Sequence, residues 1–282
     1  MMIPLFDTHQ HLLYRNELNY PWTKDISILA NHDFTISDYK LLTKNLGVEG
    51  SLFMEVDADD YHKESHFIRS LSNDINNDIK GLIVSIRPEK DEGFEDWLDE
   101  TIEMKVVGYR RILHVVEDEI SQSDTFRKNV RKIGEVGKTF DLCFLQRQLP
   151  LAIELAKVCD NTSLILNHCG VPDIATNGFN LWEKDIKTLS EIPNVYCKLS
   201  GIMAYCAPGT SSYETIEPYV NHILNCFGTN RIVWGSDWPV VNLGKGLPEW
   251  IHVTRKILSL LSNDEAEAVA NKNAKSIYKV KI

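Results

Sequence analysis

The chain has 282 residues, 43% of them hydrophobic and 25% charged, with a formal net charge of -10, the profile of a soluble globular protein with a sizeable core. The acidic balance excludes the clustered Lys and Arg on which non-specific nucleic-acid binding depends. No apolar run approaches the ~18–20 residues of a membrane span, and the N-terminus lacks a basic region followed by an apolar one. Neither nucleic acid nor membrane is therefore an expected partner. Six cysteines lie between Cys143 and Cys226 with no C-x-x-C pair, and a reduced cytoplasm is the expected compartment. Asn161-Thr162-Ser163 fits a glycosylation sequon but is discounted without a secretory signal.

Short apolar runs alternate with amphipathic segments from end to end. Strands are predicted at 3–9, 51–56, 81–86, 106–113, 140–146, 163–168, 195–200 and 231–236. They are rich in Val, Ile, Leu and Phe, as parallel strands covered on both faces must be. Helices are predicted at 37–46, 62–71, 94–104, 125–136, 150–158, 182–189, 213–226, 248–261 and 264–278. Eight strands alternating with helices point to an α/β fold, a single (β/α)8 TIM-type barrel domain over 1–282. A doubly wound open sheet is the runner-up. The segment 12–38 is a long loop after strand 1, and its Tyr14, Tyr20, Pro21 and Trp22 favour a functional loop over a disordered one.

Asp7, His9 and His11 alternate along the first strand and are expected on one face. Two imidazoles there can hold a metal ion or hydrogen-bond a polarised carbonyl. In such barrels the active site lies at the C-terminal strand ends, and those ends carry ionisable residues. Strand 1 ends in His9 and His11, strand 2 in Glu55, strand 4 in Arg110, Arg111 and His114, and strand 5 in Gln146 and Arg147. Strand 6 ends in His168, strand 7 in Lys198 and Ser200, and strand 8 in Asp237. Each has a plain alternative: His168 satisfied by backbone, Asp237 opening a turn or capping a helix, Lys198 paired at the surface, Glu55 paired with a strand-4 arginine. Buried charges are costly unless paired or used, so their convergence on one rim favours a catalytic site. Alternation sets Arg110 and His114 on one face and Arg111 on the other.

Three motifs are set aside. His62 and His66 stand at i, i+4, but Glu64 is one place too late for H-E-x-x-H. Gly134–Thr139 ends like a phosphate-binding loop yet lacks its first glycine and sits between a helix and a strand, the reverse of the required order. Cys169 lacks a nucleophile elbow and faces away from His168.

Six segments occur in order: F-D-T-H-Q-H at 6–11, L-N-Y-P-W at 18–22, G-Y-R-R-I-L-H at 108–114, L-N-H-C-G-V-P-D at 166–173, C-K-L-S-G at 197–201 and R-I-V-W-G-S-D-W-P-V at 231–240. Together they resemble the amidohydrolase-related family of the amidohydrolase superfamily, in particular the branch of L-fuconolactone and L-rhamnonolactone hydrolases. The resemblance implies a (β/α)8 barrel that hydrolyses a lactone at its strand ends, and L-N-Y-P-W tilts the reading toward a sugar-acid lactone. It implies His9, His11, His168 and Asp237 as the ligands of one divalent ion, zinc first, or as a metal-free site. Gln146 stands where the superfamily often has a ligand histidine, which argues against a binuclear site, and Glu55 stands where a neutral residue is expected.

On this reading His9, His11 and His168 polarise the carbonyl, and Asp237 takes a proton from water and returns it to the leaving oxygen. Arg110, Lys198, Glu55, Tyr20, Trp22 and His114 are the expected substrate-binding residues. The alternatives are a metal-dependent decarboxylase of an aromatic or muconate-type acid, a pyrone dicarboxylate-like lactonase, and a barrel that only binds sugar acids. A small-molecule substrate is the expected partner, and a homodimer is left open.

Overall fold

A computed structural model describes residues 2–280. Its strands are β1 (Leu5–Gln10), β2 (Val48–Met54), β3 (Ile79–Ser85), β4 (Val106–Ile112), β5 (Thr139–Cys143), β6 (Ser163–Leu166), β7 (Val195–Leu199) and β8 (Ile232–Trp234). All pair in parallel, in chain order. Just past β8 the chain returns to β1: the Asp237 N–H donates to the His9 carbonyl and the His11 N–H to the Trp238 carbonyl, each at 2.8 Å. This makes the (β/α)8 barrel and removes the open-sheet alternative. Among the described residues, no helix is long and apolar enough to cross a membrane.

The strand pleat explains the two layers. Phe6, Leu52, Met54, Ile83, Ile165 and Val233 fill the barrel interior, while their neighbours Leu5, Phe53, Leu82, Val84, Leu164, Leu166, Ile232 and Trp234 pack outward against the helices. Both faces are apolar, hence the nearly continuous hydrophobic runs. The helices present stripes at helical spacing. In α3 (Phe94–Ile102), Phe94, Trp97, Leu98 and Thr101 are buried; in α4 (Asp124–Glu135), Phe126, Asn129, Val130 and Ile133 are. The others on the outside are α1 (Ile36–Thr43), α2 (Tyr61–Leu71), α5 (Leu149–Val158), α6 (Phe179–Ser190), α7 (Tyr213–Phe227) and α8 (Leu247–Leu258).

Three expectations are corrected. Asp7 does not share a face with His9 and His11: from Asp7 to Gln10 the strand advances three residues against two in β2, and this bulge reverses the pleat. The Asp7 carboxylate instead accepts from Tyr39 Oη at 2.6 Å and from the His9 and Ser236 N–H groups at 2.9 and 2.8 Å. The helix predicted at 264–278 is divided into α9 (Asn263–Glu267), a π-helical turn (Ala268–Lys272) and α10 (Asn273–Ile277). Asn271 and Asn273 side chains there donate to carbonyls of Pro4, Thr229 and Ile232, and Ala274 and Tyr278 join the interior layer. Several strands also end earlier than expected, β5 at Cys143 rather than Gln146, because the polar residues beyond leave the ladder for turns.

The long loop between β1 and α1 is tightly held. Leu13 and Phe34 exchange backbone hydrogen bonds, Tyr20 Oη accepts from the Tyr14 N–H, and Arg15 donates to the His32 and Leu29 carbonyls and to Thr23 Oγ1. Trp22 Nε1 donates to the Val56 carbonyl at 2.8 Å, fastening the loop to the end of β2.

Below the rim, Lys198 of β7 is fully buried and donates to Asp141 Oδ1 of β5 at 2.6 Å and to the Thr8 carbonyl at 3.0 Å. Asn167 Nδ2 donates to the same Asp141 oxygen at 2.7 Å. Removing one member of such a pair leaves a buried charge without compensation. Lys198→Met is expected to lower unfolding free energy by about 3–5 kcal/mol in urea titrations, and adding Asp141→Leu should recover most of that loss.

Candidate active site

The barrel seam brings four predicted residues together. Asp237 Oδ1 lies 3.4 Å from His11 Nε2 and 3.6 Å from His9 Nε2, and its Oδ2 lies 3.7 Å from His168 Nδ1. The His9 ring centroid is 4.8 Å from that of His11 and 4.5 Å from that of His168. All four residues are buried. Asp237 does open a turn, its carbonyl accepting from the Val241 N–H, but its carboxylate stays among the imidazoles.

Each side chain is aimed by its backbone. The β1 bulge turns His9 and His11 inward. His168 sits where β6 breaks into a left-handed turn: His168, Cys169, Gly170 and Val171 have φ of 51°, 54°, 75° and 47°. The turn is pinned by Trp182 Nε1 donating to the Cys169 carbonyl at 2.8 Å and by Ser200 Oγ, 3.0 Å from His168 Nδ1. Asp237 is also left-handed, with φ of 58°. Room for its carboxylate is left by Gly201, where a Cβ would lie 2.2 Å from Asp237 Oδ2. At Gly235 a Cβ would lie 2.8 Å from His9 Cβ.

Burial sets the charge states. It depresses His9 well below its ordinary range, takes His11 down to about 3 and His168 to about 4, the last despite the opposing pull of Asp237. The imidazoles are therefore neutral near pH 7. Burial raises Asp237, against the lowering influence of His168, Arg110 and Lys198. His11 Nδ1 lies 2.9 Å from the Met54 carbonyl and must donate to it, so His11 Nε2 presents a lone pair to Asp237 Oδ1. Two lone-pair atoms at that distance call for a cation or a proton between them.

The donor set fits a metal ion. His9, His168 and Asp237 offer ligand atoms within 4.8 Å of one another, and His11 joins them through Asp237. Atoms bound to one zinc at about 2.0–2.2 Å lie on the order of 3.3 Å apart. Among the described residues, His9 Nδ1 and Asp237 Oδ2 are buried with no hydrogen-bond partner, where buried polar atoms are normally satisfied.

These groups border a cavity of about 190 Å³ lined by His11, Trp22, Val56, Asp57, Arg110, Ile112, His114, Val115, Cys143, His168, Tyr205, Asp237 and Val240. It is smaller than the ~300–1,000 Å³ typical of drug-sized ligands and suits a compact ring. Of the expected substrate-binding residues, Arg110, Trp22 and His114 line it, and Lys198, Glu55 and Tyr20 do not. Lys198 lies beneath it on Asp141 rather than at the surface, Glu55 is held behind it by Arg110, and Tyr20 braces the loop. Arg111 points outward to Glu89 at 2.9 Å. Gln146 is taken up by the Gly178 carbonyl and the Asp173 N–H, so the β5 contribution to the wall is Cys143, whose Sγ lies 3.4 Å from His114 Nδ1.

Sequence reasoning missed Cys143, Asp57 and Tyr205. Cys143 was hidden inside the strand predicted at 140–146, whose end in the structure is Cys143 itself. Asp57 lies three residues past the end of β2 and signals itself only as an acid two places after Glu55. Tyr205 lies in a short helical turn after β7, with no pattern to mark it.

A family model described as amidohydrolase matches residues 6–280. An L-fucono-1,5-lactonase of Burkholderia multivorans is 25% identical over 289 residues, covering 96% of this chain and 95% of its own. A 4-sulfomuconolactone hydrolase of Rhizobium radiobacter is 23% identical over 241 residues, 83% of this chain and 75% of its own. The crystal structure of an amidohydrolase from Burkholderia multivorans with bound Zn has a TM-score of 0.90 at 23% identity, covering 99% of this chain and 100% of that one.

Gly201→Ala tests how the carboxylate is seated. The added Cβ meets Asp237 and adopts an unfavourable φ, so a stability loss of about 1–3 kcal/mol is expected in denaturant unfolding. A crystal structure of the variant should show the Asp237 carboxylate displaced from His168.

Proposed function

Since this chain belongs to the amidohydrolase family, we propose that it is a lactone hydrolase whose substrate is a sugar-acid lactone of the L-fucono or L-rhamnono type. The observation that carries this reading is the meeting of three neutral imidazoles on one carboxylate, 3.4–3.7 Å away, beside a ring-sized cavity. The wall supports a hydroxylated ring. Trp22 and Tyr205 offer aromatic faces for C–H surfaces, and Asp57, neutral His114 (taken down to about 4, chiefly by burial) and the Tyr205 hydroxyl offer hydrogen-bonding groups.

In the proposed reaction Asp237 takes a proton from water as the water oxygen bonds to the lactone carbonyl carbon. The C=O electron pair moves onto its oxygen, among the histidines. The pair on that oxygen then re-forms the C=O bond as the bond from carbonyl carbon to ring oxygen breaks, Asp237 returns the proton to the ring oxygen, and a hydroxy acid leaves. His9, His11, His168 and Asp237 would hold a divalent ion such as zinc, which when bound supplies Lewis-acid polarisation of the carbonyl. Met54 fixes the tautomer of His11 for that role through its carbonyl. Arg110 Nη1 lies beside that site, 3.3 Å from His9 Nε2.

Acid release from a panel of sugar-acid lactones tests the activity, and carbon dioxide release from aromatic acids in its place would assign the decarboxylase. Asp237→Asn is expected to lower kcat by roughly 10²–10⁴-fold while circular dichroism and melting temperature stay near wild type; activity within tenfold of wild type counts against the role. Elemental analysis is expected to find zinc bound to the purified protein. Chelation should abolish turnover and zinc should restore it, whereas full activity in the metal-depleted protein would establish the metal-free site.

A further inference from the structure

Among the described residues, Arg110 is the one arginine or lysine on the cavity wall, and each of its three nitrogens already meets a protein acceptor. Its Nε donates to Glu55 Oε1 at 2.6 Å and its Nη2 to the Glu55 carbonyl at 2.5 Å. Its Nη1 faces His9 Nε2 at 3.3 Å and Asn167 Oδ1 at 3.4 Å. Glu55 is fully buried, and its second oxygen accepts from the Asp57 N–H at 2.9 Å. Burial opposes its charge, but the Arg110 charge and hydrogen bond outweigh that and hold the carboxyl below its ordinary value. The pair therefore sums to zero charge. Lys198, the next cation inward, is cancelled by Asp141 in the same way. Apart from the ion that the imidazoles and Asp237 would hold, the charge facing a ligand on the wall is acidic: Asp57 lines it with its backbone held left-handed at φ 54°.

We propose that Glu55 is the specificity determinant of this site: by occupying Arg110 it denies an anionic ring substituent its counter-ion, so the enzyme takes uncharged hydroxylated lactones and rejects carboxylated or sulfonated ones. The inference rests on the lactone reading and deepens it. An arginine with a free fork binds a carboxylate in bidentate fashion; one already engaged offers no such contact, and the Asp57 carboxylate adds like-charge repulsion. Specificity arises here from a repulsive element as much as from an attractive one. A glutamine at position 55 would keep the side-chain shape and return a full positive charge to Arg110.

The test separates this inference from the activity itself. Turnover of L-fucono-1,5-lactone reports the lactone reading. Calorimetric titration with tetrahydropyran-2-carboxylate and its carboxamide, two unreactive rings differing by one charge, reports the specificity. Wild type is expected to bind the carboxamide at least roughly tenfold more tightly than the carboxylate. Glu55→Gln should shift that ratio toward the carboxylate by roughly tenfold or more, and Asp57→Asn should shift it the same way by less. A wild-type ratio near one, or carboxylate binding by Glu55→Gln that stays unmeasurable or unimproved while the variant melts like wild type, overturns the proposal. Should Glu55→Gln not fold, an unshifted ratio in Asp57→Asn overturns it.

Discussion

The hydrogen bond from the Asp237 N–H to the His9 carbonyl, with its companion from His11 to Trp238, is the joint on which this molecule depends. It is where the last strand meets the first, so the closure of the barrel and the assembly of the polar cluster are one event. The residues that face each other across it are more than two hundred positions apart in the chain, and only a completed ring of eight strands brings them within 4 Å. The seam is also where side chains are most crowded, hence Gly201 and Gly235, whose hydrogens occupy space that any larger residue would take from Asp237 and His9.

The same seam explains what a reader of the sequence can and cannot see. Strand and helix periods were enough for the barrel, because each element buries a face whose spacing is written in Val, Ile and Leu. His9, His11, Arg110, His168 and Asp237 were legible as polar residues at strand ends, and the structure brings all five to one end of the barrel. Strict alternation failed at Asp7, since a bulge is a property of how two strands fit rather than of one strand alone. Asp141 was passed over because a single acid in an apolar run has no meaning until its partner, Lys198, is found two strands away. Tyr205 belongs to a connection with no period to read. Local pattern identifies elements and their ends; pairings across the barrel need the closed fold.

Charge is arranged in layers beneath the cavity. Lys198 meets Asp141, Asn167 bridges Asp141 to Arg110, and Arg110 meets Glu55, so a chain of polar contacts runs across the interior from β7 to the end of β2. Every cation in it is matched by a carboxylate. Such a network is costly to break at any one member, and it keeps the floor of the cavity electrically quiet, leaving the neutral imidazoles, Asp237 and the Asp57 carboxylate on the wall as the groups that set the field where a substrate would lie.

The left-handed turn from His168 to Val171 carries a further consequence. Three of its residues are not glycine, one is β-branched, and each such backbone setting costs on the order of 1–3 kcal/mol. The turn persists because Trp182 and Ser200 grip it from neighbouring elements, not because the chain prefers it. Relaxation there would swing one imidazole out of the cluster and leave the surrounding strands paired. In this hydrolase, warming would thus cost function ahead of fold, and the temperature at which the enzyme stops working and the temperature at which it melts would be two separate numbers.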